Sequence, residues 1–203
     1  MIIALIGLPG SGKSAVAPLL AARLDCPWAD LDERIARAEG VPVPELLRRR
    51  GEAAFRSAEE AALREALQAA GAAPGEGAGA APRESQAGPR PALVLACGGG
   101  VVTRDASRSL LRGHAFVLWL RVSPGAAAAR LGAARSGEAE RPLLEGPGSL
   151  PERIESLLAR RDTLYRAAAH ASVETDGRAP DEVAAEAERA VRGRTQPWDS
   201  SGS

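Results

Sequence analysis

Three short runs of unbroken apolar residues punctuate the chain: Ile2–Ile6, Leu93–Ala96 and residues 116–120. Each ends close to Gly, Ser or Pro. Unbroken hydrophobicity over so few residues, without alternation, marks a strand buried on both faces, as in a parallel sheet covered by helices on either side. Two weaker runs, residues 27–31 and 171–175, bring the expected strand count to five. Helical periodicity fills the spaces between, over residues 13–24, 32–39, 44–50, 52–70, 107–112, 124–131, 151–168 and 180–191. Strands alternating with helices in this way predict an α/β fold of three layers, α/β/α, around a five-stranded parallel sheet with right-handed crossovers.

Three stretches break the pattern. Residues 71–91 contain 15 Ala, Gly or Pro among 21 positions and no apolar residue larger than Ala. They offer almost no area whose burial could offset the entropy of fixing the backbone, so the segment reads as a flexible surface insertion. Residues 132–150, rich in Gly, Ser, Glu and Pro between two firm helices, read as a mobile lid. Residues 193–203 read as a disordered tail. The expected organisation is one domain over residues 1–192, since neither side of the insertion holds a complete core alone.

Charge narrows the class of partner. Lys plus Arg and Asp plus Glu balance at 26 each, which disfavours nucleic acid and anionic membrane surfaces and favours a small molecule. The two cysteines, Cys26 and Cys97, fit no metal-ligand spacing and read as reduced thiols, pointing to the cytoplasm. The opening segment lacks a basic region and reaches glycine too soon for a secretory signal or a membrane span. The chain is expected to act as a monomer.

Of the 26 cationic side chains, 25 are arginine and one is lysine, Lys13. That lysine ends the motif Gly7-Leu8-Pro9-Gly10-Ser11-Gly12-Lys13-Ser14, a match to G-x-x-x-x-G-K-[ST] placed directly after one predicted strand and before a predicted helix. In such a P-loop the glycines let successive backbone amides and the helix N-terminus converge on phosphate oxygens. The expected ATP-binding set is Gly10, Ser11, Gly12, Lys13, Ser14 and Ala15. Lys13 reaches the β- and γ-phosphates, and the Ser14 hydroxyl ligates Mg²⁺. A compact ammonium suits that place better than a broad guanidinium.

The acceptor is sought beyond the carboxyl ends of the other strands, where ligands gather in open parallel sheets. Asp30 and Asp32 follow the second strand. Asp30 suits Mg²⁺ through water, and Asp32 suits a hydrogen bond to an attacking hydroxyl with uptake of its proton; equally, Asp32 could be an N-cap for the following helix. Gly98, Gly99 and Gly100 follow the third strand and, lacking Cβ atoms, allow a ligand close to the backbone amides.

These motifs, with Gly51-Glu52-Ala53-Ala54-Phe55-Arg56 and Glu59, Arg141-Pro142-Leu143-Leu144 and Arg161-Asp162-Thr163-Leu164-Tyr165, stand in the order and rough spacing of shikimate kinases, and the chain resembles that family from about residue 2 to 191. The resemblance implies transfer of the ATP γ-phosphoryl group to the 3-hydroxyl of shikimate, with Mg²⁺ required. It implies that Asp32, Arg56, Gly98, Gly99, Gly100 and Arg161 hold shikimate, the two arginines on its carboxylate. Lys13, Asp32 and Arg141 would be catalytic, with Arg141 on the lid against the phosphates; Arg135 and Arg178 would lie on the adenine side. The insertion is longer than the family's usual connection. A gluconate kinase is the nearest enzymatic alternative, and a nucleotide-binding regulator without turnover the alternative of another kind.

Overall fold

The computed structural model describes residues 1–69, 91–133 and 148–193. Five strands, β1 (Ile2–Ile6), β2 (Trp28–Asp30), β3 (Leu93–Ala96), β4 (Ala115–Arg121) and β5 (Ala171–Glu174), form one parallel sheet in the order β2-β3-β1-β4-β5. The helices are α1 (Lys13–Leu24), α2 (Leu31–Glu39), α3 (Val43–Ala69), α4 (Asp105–His114), α5 (Pro124–Ala133), α6 (Leu150–Ala168) and α7 (Pro180–Arg192).

The central strand explains the unbroken apolar runs. Successive side chains of β1 point to opposite faces: Ile2, Ala4 and Ile6 join Phe55, Leu63, Ile154 and Tyr165 on one side, while Ile3 and Leu5 join Val16, Leu20, Val183 and Ala187 on the other. Both faces are dry, so every position must be apolar. Truncating any of these isoleucines to alanine would cost about 2–5 kcal/mol.

The helix boundaries follow local chemistry. Ser149 caps α6, accepting from the Glu152 amide while the Glu152 carboxylate accepts from the Ser149 amide, a reciprocal arrangement that satisfies two otherwise orphaned donors. The two helices expected over residues 44–50 and 52–70 run end to end as α3, with the break at Gly51, whose φ of 77° and ψ of 172° are open to glycine alone at no cost.

Some expectations shift. β2 is shorter than residues 27–31 because α2 has already begun at Leu31. A 3-10 turn at Val101–Thr103, which the sequence reading missed, follows the glycines. Of the stretch read as a lid, Gly132 and Ala133 close α5, and Ser149 and Leu150 open α6. Gly148, at φ of 88°, is also described, while residues 134–147 lie outside the described residues, as do all of the 71–91 insertion except Pro91 and all of the tail except Gly193. No helix among the described residues is long and apolar enough to cross a membrane.

Candidate active site

The site gathers at the carboxyl edge of the sheet. Between β1 and α1 the loop turns through Gly7, Gly10 and Gly12, at φ of 147°, 80° and 90°. A Cβ on Gly7 would land on the Leu120 carbonyl oxygen, so glycine is required there on two counts. Lys13 is folded across the loop: its ammonium donates to Gly7 O at 3.0 Å, Leu8 O at 2.9 Å and Ser11 Oγ at 3.3 Å. The loop is thus held in shape by the group expected to meet the phosphates.

Asp30 and Asp32 have different jobs. Asp30 caps α2, its Oδ1 accepting from the Asp32 amide at 2.9 Å, and its Oδ2 accepts from the Ser14 hydroxyl at 2.8 Å. The cap is therefore Asp30 and not Asp32, and one carboxylate ties the end of β2 to the start of α1. Asp32 lies in the first turn of α2, off the strand, so strand alternation does not set its direction relative to Asp30. Its Oδ1 stands 3.1 Å from the place a Gly98 Cβ would take.

The three glycines form the floor of the acceptor side. A Cβ on Gly98 would sit 2.7 Å from Glu59 Oε1, one on Gly99 would sit 2.8 Å from the Pro9 ring, and one on Gly100 would fall inside the Arg56 guanidinium. These close approaches give the physical reason for glycine at each position. Arg56 comes from α3, is buried, and donates to Glu59 Oε2 at 2.7 Å and to Glu52 Oε1 at 3.1 and 3.3 Å. Arg161 comes from α6 and donates to Gly99 O at 3.1 Å. The Tyr165 hydroxyl, one helical turn on, donates to the same carbonyl. Beside Arg161 lies an open cavity of about 270 Å³ lined by Glu52, Thr103, Leu157, Arg160 and Arg161.

Glu59 is the electrostatic singularity. It is 2 % exposed, and its Oε1 has no hydrogen-bond partner among the described residues. Burial pushes its carboxyl above the ordinary range; Arg56 and Arg161 pull the other way and Asp32 adds to the rise. Cys97, buried at the end of β3, has its thiol pushed well up by the same desolvation, and Cys26 is pushed up to about 11. Both stay protonated near neutrality and are unreactive.

Of the residues expected to act, Gly10, Ser11, Gly12, Lys13, Ser14 and Ala15 form the loop and helix start, and Asp32, Arg56, Gly98, Gly99, Gly100 and Arg161 converge beside it. Arg135 and Arg141 lie outside the described residues. Arg178, expected on the adenine side, stands in the β5–α7 turn and donates to Glu174 O at 2.9 Å, Glu186 Oε2 at 2.5 Å and Glu182 O at 3.1 Å. The arginine that touches the P-loop is Arg130 of α5, which donates to Gly10 O at 3.2 Å, to Thr175 Oγ1 at 3.0 Å and to Thr175 O. It was missed, although a lone charge in the run Pro-Gly-Ala-Ala-Ala-Ala-Arg-Leu was a usable signal.

Oxygen donors at Ser14 and Asp30 fit a hard cation such as Mg²⁺, which keeps several waters and substrate oxygens in its shell. Among the described residues no group of three or more His, Cys, Asp or Glu could hold a metal ion.

The shikimate kinase family profile matches residues 9–88 and 85–192. A shikimate kinase of Symbiobacterium thermophilum is 38% identical over 92% of this chain and 93% of its own. Among solved structures, shikimate kinase from Acinetobacter baumannii in complex with shikimate is 28% identical, with a TM-score of 0.78 over 97% of this chain and 95% of that one. A gluconokinase from Sinorhizobium meliloti, at 20% identity and a TM-score of 0.53 over 94% and 93%, shares the fold alone.

Proposed function

This chain belongs to the shikimate kinase family and is an ATP-dependent small-molecule kinase, and we propose that it phosphorylates the 3-hydroxyl of shikimate through the residues gathered around its triple glycine. The observation that carries the reading is the convergence of the Asp32 carboxylate and the Arg56 and Arg161 guanidiniums, from three separate helices, on Gly98 to Gly100 beside the P-loop. A planar guanidinium gives a carboxylate two parallel hydrogen bonds, fixing orientation as well as supplying charge. Two of them beside Gly99 and Gly100, with a carboxylate beside Gly98, suit an acceptor that carries both an acid and an alcohol.

The roles follow from position. The amides of Gly10 to Ala15 cradle the ATP phosphates, and Lys13 exchanges its bonds to Gly7 O and Leu8 O for phosphate oxygens. Asp32 accepts the hydrogen bond of the attacking hydroxyl and takes its proton. Ser14 and Asp30 would hold Mg²⁺, which neutralises phosphate charge. Arg130 keeps the P-loop against the end of β5. Residues 132–150 act as the lid, bringing Arg141 to the transferring group and Arg135 to the nucleotide. Residues 1–192 work as one kinase unit, as a monomer in the cytoplasm, in keeping with two reduced thiols and a balanced charge.

The test is ADP production from ATP and Mg²⁺ with shikimate or gluconate, in the wild type, Arg56→Ala and Arg161→Ala. Shikimate-dependent turnover that falls at least about a hundredfold in kcat/KM in both variants is expected. Turnover with gluconate alone, or none with either acceptor, would overturn the assignment.

A further inference from the structure

Gly98 and Val101 close a turn, the Val101 amide donating to Gly98 O at 3.1 Å. The middle peptide of that turn joins Gly99 to Gly100. Rotating such a peptide by half a turn interconverts the two common turn types, and the flipped form needs positive φ at the third residue. A side chain on that residue would oppose the flip; Gly100 does not. The backbone alone therefore leaves two orientations within reach, with the Gly100 N–H pointing in opposite directions. The orientation found, with φ of −105° and ψ of 2° at Gly100, is the unflipped one.

What selects it comes from α6, more than sixty residues along the chain. Gly99 O accepts from Arg161 Nη1 and from the Tyr165 hydroxyl. We propose that Tyr165 is a positioning residue whose hydroxyl locks the Gly99–Gly100 peptide, so that the Gly100 N–H is turned away from α6 and presented to the acceptor. In a trans peptide the N–H runs antiparallel to the preceding carbonyl, so holding Gly99 O on the α6 side sends the Gly100 N–H the other way. The amides of Gly98, Gly99 and Gly100 donate to no acceptor among the described residues, which leaves them for a ligand.

Arg161 is the weaker candidate for the lock, because in the proposed function its guanidinium also holds the acceptor carboxylate. Tyr165 has no such second task. It is fully buried, and its ring stacks on Trp119 at 5.6 Å between centroids and 22° between planes. Trp119 is covered in turn by the Arg121 and Arg166 guanidiniums at 5.2 and 5.6 Å. The phenol is thus fixed before any ligand arrives. The substrate half of this inference rests on the shikimate kinase reading; the backbone half does not.

Tyr165→Phe keeps the ring and its stacking and removes only the hydroxyl. In the full chain, the KM for shikimate is expected to rise about tenfold while the KM for ATP stays within about twofold. No change in the shikimate KM, or an equal change in both, overturns the lock, since general loosening of the fold would move both substrates together. If the wild type shows no turnover with shikimate, the functional reading fails by itself. The lock is then decided without ligand, by the Gly100 amide resonance of protein labelled with 15N-glycine: displacement or doubling in Tyr165→Phe supports it, and an unmoved resonance overturns it. Should Tyr165→Phe not fold, biosynthetic replacement of tyrosine by 3-fluorotyrosine changes only this residue, adding one fluorine beside its hydroxyl and so altering that hydroxyl's hydrogen bond, because the chain has one tyrosine, and the same resonance is read.

Discussion

Arg56 and Glu59 form a buried ion pair on adjacent turns of α3, Nη1 to Oε2 at 2.7 Å, with side chains 6% and 2% exposed. Glu59 in this pair holds the guanidinium beside the triple glycine, while Glu52 bonds it from the solvent side. Removing one partner leaves the other charged and desolvated, so Arg56→Ala should lose about 3–5 kcal/mol of stability. The double variant Arg56→Met, Glu59→Leu should recover most of that loss while remaining inactive towards shikimate. Urea unfolding beside an ADP-release assay checks both halves, and a double variant no more stable than the single would show that the pair is not the source of the loss.

The raised carboxyl of Glu59 makes a pH prediction. Burial is the main cause of the rise, so between the ordinary glutamate value of about 4.3 and the raised folded value the native state holds the extra proton. Stability from this group is fully present below the lower value and is lost as pH rises through the higher one. Melting temperatures of the wild type and Glu59→Gln, followed from about pH 4 to pH 8, should differ in slope, the wild type falling more steeply than the variant as pH rises. Parallel curves would remove Glu59 as the titrating group.

Tyr165 gives a second titration with no competing signal, as the only tyrosine. Desolvation pushes its phenol up to about 12, so it remains a hydrogen-bond donor throughout the working range. Phenolate absorbance in the folded protein should rise about two units later than in unfolded protein, near pH 10 for the latter. Coincident curves would mean that the hydroxyl is not buried as described.

Gly100→Ala tests the floor of the acceptor side. The backbone there accepts an L side chain, but the new methyl would take the space of the Arg56 guanidinium. Because the obstructing atoms end a flexible side chain, the fold should survive and Arg56 should be displaced. Steady-state kinetics should show the shikimate KM raised at least about tenfold with the ATP KM nearly unchanged. A variant with ordinary shikimate kinetics would place the acceptor elsewhere.

Lys13 is the only lysine, so an amine-selective reagent can reach one side chain besides the N-terminus. Its ammonium is largely buried against Gly7 O and Leu8 O. Labelling mapped by mass spectrometry should be slow and further suppressed by ATP with Mg²⁺. Lys13→Ala should lower kcat by about a hundredfold or more, through loss of charge opposite the transferring group. Labelling of Lys13 that is indifferent to ATP would count against its place at the phosphates.

The sequence by itself determined what depends on near neighbours. Residues of β1 read as a doubly buried strand because its alternating faces both meet apolar helices, and the P-loop was legible because its chemistry is set within eight consecutive positions. The break between helices at Gly51 was legible for the same reason. The tertiary structure alone decided what depends on distant segments meeting in space. It gave Asp30 the cap and the bond to Ser14, and put Asp32 against Gly98. It placed Arg130 on Gly10, 120 residues away. It brought Arg161 and Tyr165 onto one carbonyl of Gly99. Periodicity and turn chemistry act over a few residues, whereas the direction a polar side chain takes is chosen by whichever partner the packed sheet and helices bring within about 3 Å of it.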